Sequence, residues 1–168
     1  MAEETHIEHP NRDKAGSKAA KAVIVLLMLV TAALVAIITV GGWSVLQGAQ
    51  IVAFFYILLY VVMAFYVARW NRGLLPVCAA MSILLAVIAG VAAPGWFARS
   101  KDGFLDPALP PDLLGMLTII LIPVSIVLVV FAMRGFTQKW NVEVETHNDD
   151  GYGGGYDDYD RGPSPAGA

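Results

Sequence analysis

Four stretches of the chain, 22–40, 49–68, 74–93 and 113–133, contain no Asp, Glu, Lys, Arg or His. Together they make up nearly half of the molecule, and each is 19 to 21 residues long. Twenty helical residues rise about 30 Å, the thickness of a bilayer's hydrocarbon core. Inside that core the backbone can satisfy its own polar groups only as a helix or a closed barrel. A barrel would show runs of roughly ten residues alternating apolar and polar. The four stretches are apolar on every side, so they predict four transmembrane helices.

The punctuation between them fits. The first link, 41–48, and the second, 69–73, are short, and short connections make sequential helices antiparallel neighbours. The pattern therefore predicts an all-α integral membrane protein whose four helices form an up-down-up-down bundle, with spans one and two adjacent and spans two and three adjacent. Pro76 falls in the first turn of the third span, where its missing N–H costs nothing. Asp112, after Pro110 and Pro111, reads as the N-cap of the fourth.

Composition sharpens the class. Of 168 residues, 57 % are apolar and 15 % charged, against about 25 % charged in soluble domains, and the mean hydropathy is +0.63. A soluble enzyme and a nucleic-acid-binding domain are excluded. One cysteine, Cys78, excludes a disulfide framework. The richness in Ala, Val and Gly suits a bacterial protein.

Basic residues near span ends set orientation, because they stay on the cytoplasmic side. Arg12, Lys14, Lys18 and Lys21 precede the first span, Arg69 and Arg72 sit in the second link, and Arg134 and Lys139 follow the fourth span. The first link has no base, and the third carries only Arg99 and Lys101. Both tails are thus expected in the cytoplasm and the protein in the plasma membrane. Trp43, Trp70, Trp96 and Trp140 each follow a span by two to seven residues, as interfacial indole anchors do. The first span is too long for a cleaved signal peptide and lacks an A-x-A-like site before Gln50.

Outside the spans, residues 1–21 balance four acids against four bases with no apolar period, which reads as a solvated cytoplasmic tail. Residues 141–168 form an acidic, Gly- and Tyr-rich tail that lacks the aliphatic residues needed to offset ordering entropy, and disorder is expected. At its start, 140–145 alternates as a strand would and could add to another protein's sheet edge. The outer loop, 94–112, holds four prolines with Trp96, Phe97 and Phe104, so it reads as a stiff loop lying on the interface. Asp102, Asp106 and Asp112 within it match no EF-hand spacing.

Several chemistries have no residues to carry them. All three histidines, His6, His9 and His147, lie in the tails, so no span offers a haem ligand. Cys78 alone can hold neither zinc nor an iron–sulfur cluster and reads as a small packing residue. No span carries paired aspartates or an H-E-x-x-H motif, and none holds an ionisable residue for a proton relay. No catalytic, cofactor-binding or metal-binding residue is assigned, no cofactor is implied, and the chain is not read as an enzyme.

What the spans do contain is small residues and hydroxyls. Cys78, Ser82, Ala86 and Gly90 recur every four residues along one face of the third span, and Ala32 and Ala36 do so in the first. Small faces let membrane helices approach closely, within the bundle or against a partner. Thr31, Tyr60, Ser82 and Ser125 lie at about one depth, 12 to 14 Å from the cytoplasmic ends at about 1.5 Å per residue. A hydrogen-bonded layer across all four helices is expected there, joined by the carbonyl of Ile119, which Pro123 leaves free while kinking the fourth helix. The second span is rich in rings (Phe54, Phe55, Tyr56, Tyr60, Phe65 and Tyr66) with no convergent polar anchor that would mark a quinone or other flat ligand.

The sequence thus leads to a non-catalytic scaffold or accessory subunit of a membrane assembly. Its partners would be the lipid bilayer and other membrane subunits or further copies of itself. The alternative is an oligomeric permease or channel for a small solute.

Overall fold

The computed structural model describes residues 6–8, 10–101, 107–142 and 144–146. Four helices are long and apolar enough to cross a membrane, and the protein is an all-α integral membrane protein. A one-turn helix α1 (Pro10–Asp13) leads into α2 (Ala15–Gly41), followed by α3 (Ala49–Ala68), α4 (Leu75–Ala98) and α5 (Pro111–Thr137). Each helix buries residues spaced mainly three or four apart. In α2 these include Ser17, Ala20, Ile24, Met28, Thr31 and Val35; in α5 they include Leu114, Thr118, Leu121, Ser125, Leu128 and Ala132. That spacing gives each helix a single seam, as in coiled-coil-like packing. The remaining surface is Leu, Ile, Val and Phe left exposed for lipid.

The helix ends meet in two sets. At one, Lys21 Nζ donates to Ala68 O (3.2 Å), Arg72 Nε to Phe136 O (2.7 Å) and Arg12 Nε to Trp140 O (3.1 Å). At the other, Leu109 N donates to Gly41 O (3.1 Å) and Ser100 Oγ to Asp112 Oδ2 (2.9 Å). Along their lengths α2 packs on α3 and α5, and α4 packs on α5. The neighbours expected from the second link, α3 and α4, hardly touch. The side chains explain the difference. α4 turns Cys78, Ala79, Ser82, Ala89 and Ala93 inward, and these let it close on α5, while α3 offers the bulkier Tyr56, Tyr60 and Met63.

Boundaries shift outward at four helix ends. Charge-free counting stops at residue 22, yet α2 begins at Ala15 and buries Ser17 and Ala20; residues 15–21 are helix rather than tail. Lys18 and Lys21 ride on it because their long stems can lead the ammonium groups away from the apolar side. At its far end α4 continues through Pro94 to Ala98, since Ala93 and Trp96 prolong its buried stripe. α5 is one continuous helix from Pro111 past Pro123 to Thr137, beyond the expected 113–133. Pro76 lies in the first turn of α4 as expected. Asp112, by contrast, is inside α5; Pro110 holds the cap position, and the Asp112 carboxylate accepts from Ser100.

A second, separate unit is a two-stranded antiparallel pair. Strand β1 (His6–Glu8) pairs with β2 (Val144–Thr146), with His6 opposite Thr146, Ile7 opposite Glu145 and Glu8 opposite Val144. The alternating segment at the start of the C-terminal region does form a strand, though one displaced to 144–146 and paired with the chain's own N-terminal residues. The expected disorder of 147–168 lies outside the described residues, as do Asp102 and Asp106.

Candidate functional site

The four hydroxyl residues expected at one depth, Thr31, Tyr60, Ser82 and Ser125, are all fully buried. They do not form one network. Tyr60 donates its hydroxyl proton to Ser82 Oγ at 2.9 Å, and Ser82 in turn donates to Cys78 O at 2.8 Å. This two-step relay ties α3 to α4 where their other contacts are few. Thr31 donates to Leu27 O of its own helix (2.8 Å), the usual retreat of a threonine inside a helix. Ser125 Oγ has no partner.

Ser125 nevertheless sits on a feature. With Ser82 it lines the floor of a groove of about 330 Å³ between α4 and α5, walled by Ile83, Ala86, Val87, Ile126, Val129 and Val130. Four of these walls, Ile83, Val87, Ile126 and Val130, are exposed. The small-residue face of α4 therefore divides. Cys78 and Ser82 are spent on packing within the bundle, Ala86 is half-buried on the groove, and Gly90 is exposed with open space around it.

The rings of α3 divide too. Phe54, Phe55, Phe65 and Tyr66 are exposed, whereas Tyr56 and Tyr60 are buried and stacked at 6.2 Å. Tyr56 borders a second cavity of about 330 Å³ lined by all four spans. Tyr56 is 3 % exposed, and its enclosed hydroxyl has no hydrogen-bond partner. Thr39 and Thr118 also line this space, each donating back to a carbonyl of its own helix, Val35 O and Leu114 O. These hydroxyls do not converge on a common point beside the rings: two are bonded within their own helices and the third is enclosed. The signal available in the sequence for the stacked pair was the four-residue spacing of Tyr56 and Tyr60, which puts both on one helix face.

The four tryptophans play unequal parts. Trp43 is 51 % exposed and fits an interfacial anchor, with Phe54 edge-on at 5.9 Å. Trp96 is buried with Val45 and Leu114 and closes one end of the bundle. Trp140 is wholly buried at the other end, where Trp70 meets it edge-on at 5.4 Å and Lys21 Nζ lies 3.9 Å from the Trp70 ring centre. Arg72 stands 4.3 Å over Phe136. Cation–π contacts of this kind hold these half-exposed basic residues to the helix ends. The bases expected on one side of the membrane, Arg12, Lys14, Lys18, Lys21, Arg69, Arg72, Arg134 and Lys139, belong to this end of the helices.

Among the described residues, no cluster of His, Cys, Asp and Glu could hold a metal ion. The side chains inside the bundle are suited to packing and to single hydrogen bonds. Compared with known protein families, with curated proteins and with solved structures, the chain matches none of them.

Proposed function

We propose that this small multi-pass membrane protein is a non-catalytic accessory or scaffold subunit, seated in the plasma membrane with the Trp140 end of its bundle at the cytoplasm. The observation that carries the reading is the groove between α4 and α5, where half-buried Ala86 lies among exposed Ile83, Val87, Ile126 and Val130. A transmembrane helix of a partner, laid on Ala86, would fill the groove. Small residues let membrane helices approach each other closely.

Site-specific photocrosslinking in cells tests this. A photoreactive residue at Val87 or Ile126, on the groove, is expected to trap a discrete membrane protein, and one at Val61, exposed on α3, is not. Filling the groove by Val87→Trp is expected to abolish the capture while leaving the detergent-solubilised protein folded. Trapping of a second copy of the chain would replace the partner subunit with self-association. An uncrosslinked 18.0 kDa species, under several growth conditions, would overturn the reading.

A further inference from the structure

Eight lysines and arginines gather at the Trp140 end of the bundle. Among the described residues of the helical unit, the only carboxylate at that end is Asp13. It is already taken, because Lys18 Nζ lies 3.3 Å from it. The opposite end sets only Arg99 and Lys101 against Asp112.

Three of the cations are brought to one turn. α3 ends at Ala68, and Lys21 of α2 donates to Ala68 O at 3.2 Å while standing 3.9 Å from the centre of the Trp70 ring. Arg69 follows directly. It is exposed, and its guanidinium leans back over Phe65, 5.2 Å from the ring centre. Arg72, just past Trp70, is pinned twice, by its Nε on Phe136 O at 2.7 Å and by the Phe136 ring at 4.3 Å. A guanidinium presents a planar fork of N–H donors suited to phosphate. After the bond from Nε, both terminal amino groups of Arg72 have no acceptor among the described residues. Each of the three cations thus rests on a carbonyl or a ring, and none of them on an anion of the helical unit. Like charges fixed on one turn repel one another, and an anion placed among them offsets that cost. α4 begins at Leu75 with no side-chain cap and adds the positive end of its dipole.

Position decides which anion. The turn follows the end of a membrane span, and half-buried Trp70 marks it as headgroup level, where the abundant anion is the phosphate of a lipid. Below Arg69, on the same side of α3, Phe65, Val61 and Leu58 are exposed and offer a lane for acyl chains. A zwitterionic headgroup would bring its own ammonium group among three cations. A lipid of net negative charge brings none.

We propose that Lys21, Arg69 and Arg72, gathered around Trp70, bind the phosphate of an anionic phospholipid whose chains run along α3 over Phe65. The site shares no residue with the groove between α4 and α5 and needs no partner there.

The purified full chain in a neutral detergent, offered phosphatidylglycerol and phosphatidylcholine in equal amounts, tests this by native mass spectrometry. The first lipid retained is expected to be phosphatidylglycerol. One base beside an anionic headgroup is worth roughly fivefold in affinity. Arg69→Gln, an exposed change that leaves the bonds of Lys21 and Arg72 in place, should therefore cut the preference roughly fivefold. Arg99→Gln, at the opposite end, should leave it unchanged. Glycerol 3-phosphate, which has the phosphate and no chains, should not displace the lipid. Equal retention of the two lipids by the wild-type protein would overturn the proposal in favour of the chain's own acids at 143–168 as counter-ions. So would an Arg69→Gln protein that keeps its preference, a loss just as large in Arg99→Gln, or displacement by glycerol 3-phosphate.

Discussion

Tyr60 and Ser82 join two helices that otherwise keep apart: their hydroxyl oxygens are 2.9 Å from each other, fully buried, on α3 and α4. The bond has a direction. Ser82 gives its proton to Cys78 O, so Tyr60 must be the donor to Ser82. Removing either end therefore has different consequences. Tyr60→Phe leaves Ser82 still bonded to its own helix and should lower stability in detergent by about 0.6 kcal/mol, the average for such bonds in membranes. Ser82→Ala strands a buried phenol and should cost more, about 1–3 kcal/mol. The double variant should be less damaged than the two losses summed. Equal losses from both single variants, in equilibrium unfolding, would show that the relay does not run this way.

The tryptophans provide a second contrast. Trp140 is wholly enclosed, donates Nε1–H to Gln138 Oε1 at 3.0 Å, and receives Arg12 on its own carbonyl. Trp43 is half in the open. Trp140→Ala should cost about 3–5 kcal/mol, as large-to-small changes in cores do, and Trp43→Ala under about 0.5 kcal/mol, as surface changes do. Thermal melts of both proteins in one detergent would read the difference directly.

Those tryptophans also mark where sequence reasoning was sufficient and where it was not. Absence of charge over 20 residues identifies a membrane helix because lipid tolerates nothing else, and all four helices were legible on that ground. Their ends were less so. Lys21, which stops a charge-free count at residue 22, does not stop α2, since its stem follows the helix while its ammonium group meets Ala68 O and the Trp70 ring. Of the expected hydroxyl layer, Thr31, Tyr60, Ser82 and Ser125 are all buried, but only Tyr60 and Ser82 are joined. Which hydroxyl faces which is a matter of helix rotation, and four uniformly apolar helices carry almost no rotational signal. The separation of α3 from α4 has the same origin, because a short link dictates proximity at one end only. The orphaned Tyr56 and the cavity it borders follow from that separation and so were hidden with it.

Glycine positions test the packing from another side. Gly135 sits where a Cβ would come within 2.8 Å of Ile24 Cδ1 and 3.2 Å of the Trp140 ring. A Cβ on Gly90 would meet nothing. Gly135→Ala should therefore destabilise by about 1–3 kcal/mol through overpacking, while Gly90→Ala should be neutral or slightly stabilising, since alanine is the better helix former. A destabilised Gly90→Ala protein in isolation would mean that α4 is covered along this face by something within the chain.

Sidedness can be read with the protein's own cysteine kept in place. Cys78 is buried, so a membrane-impermeant maleimide should leave the folded wild-type protein unlabelled. Cysteines introduced singly at exposed Ser44, in the link between α2 and α3, and at exposed Lys18, near the start of α2, give two reporters on opposite ends of one helix. With the basic end in the cytoplasm, intact cells should label Ser44→Cys alone, and permeabilised cells should label both. The expectation rests on eight Lys and Arg residues at the Trp140 end against Arg99 and Lys101 near the other, and on the reluctance of such residues to be translocated. Labelling of Lys18→Cys in intact cells, with Ser44→Cys protected, would invert the protein in the membrane. It would also move the Tyr56 cavity from the outer half of the bilayer to the inner, because that cavity lies toward the Trp96 end.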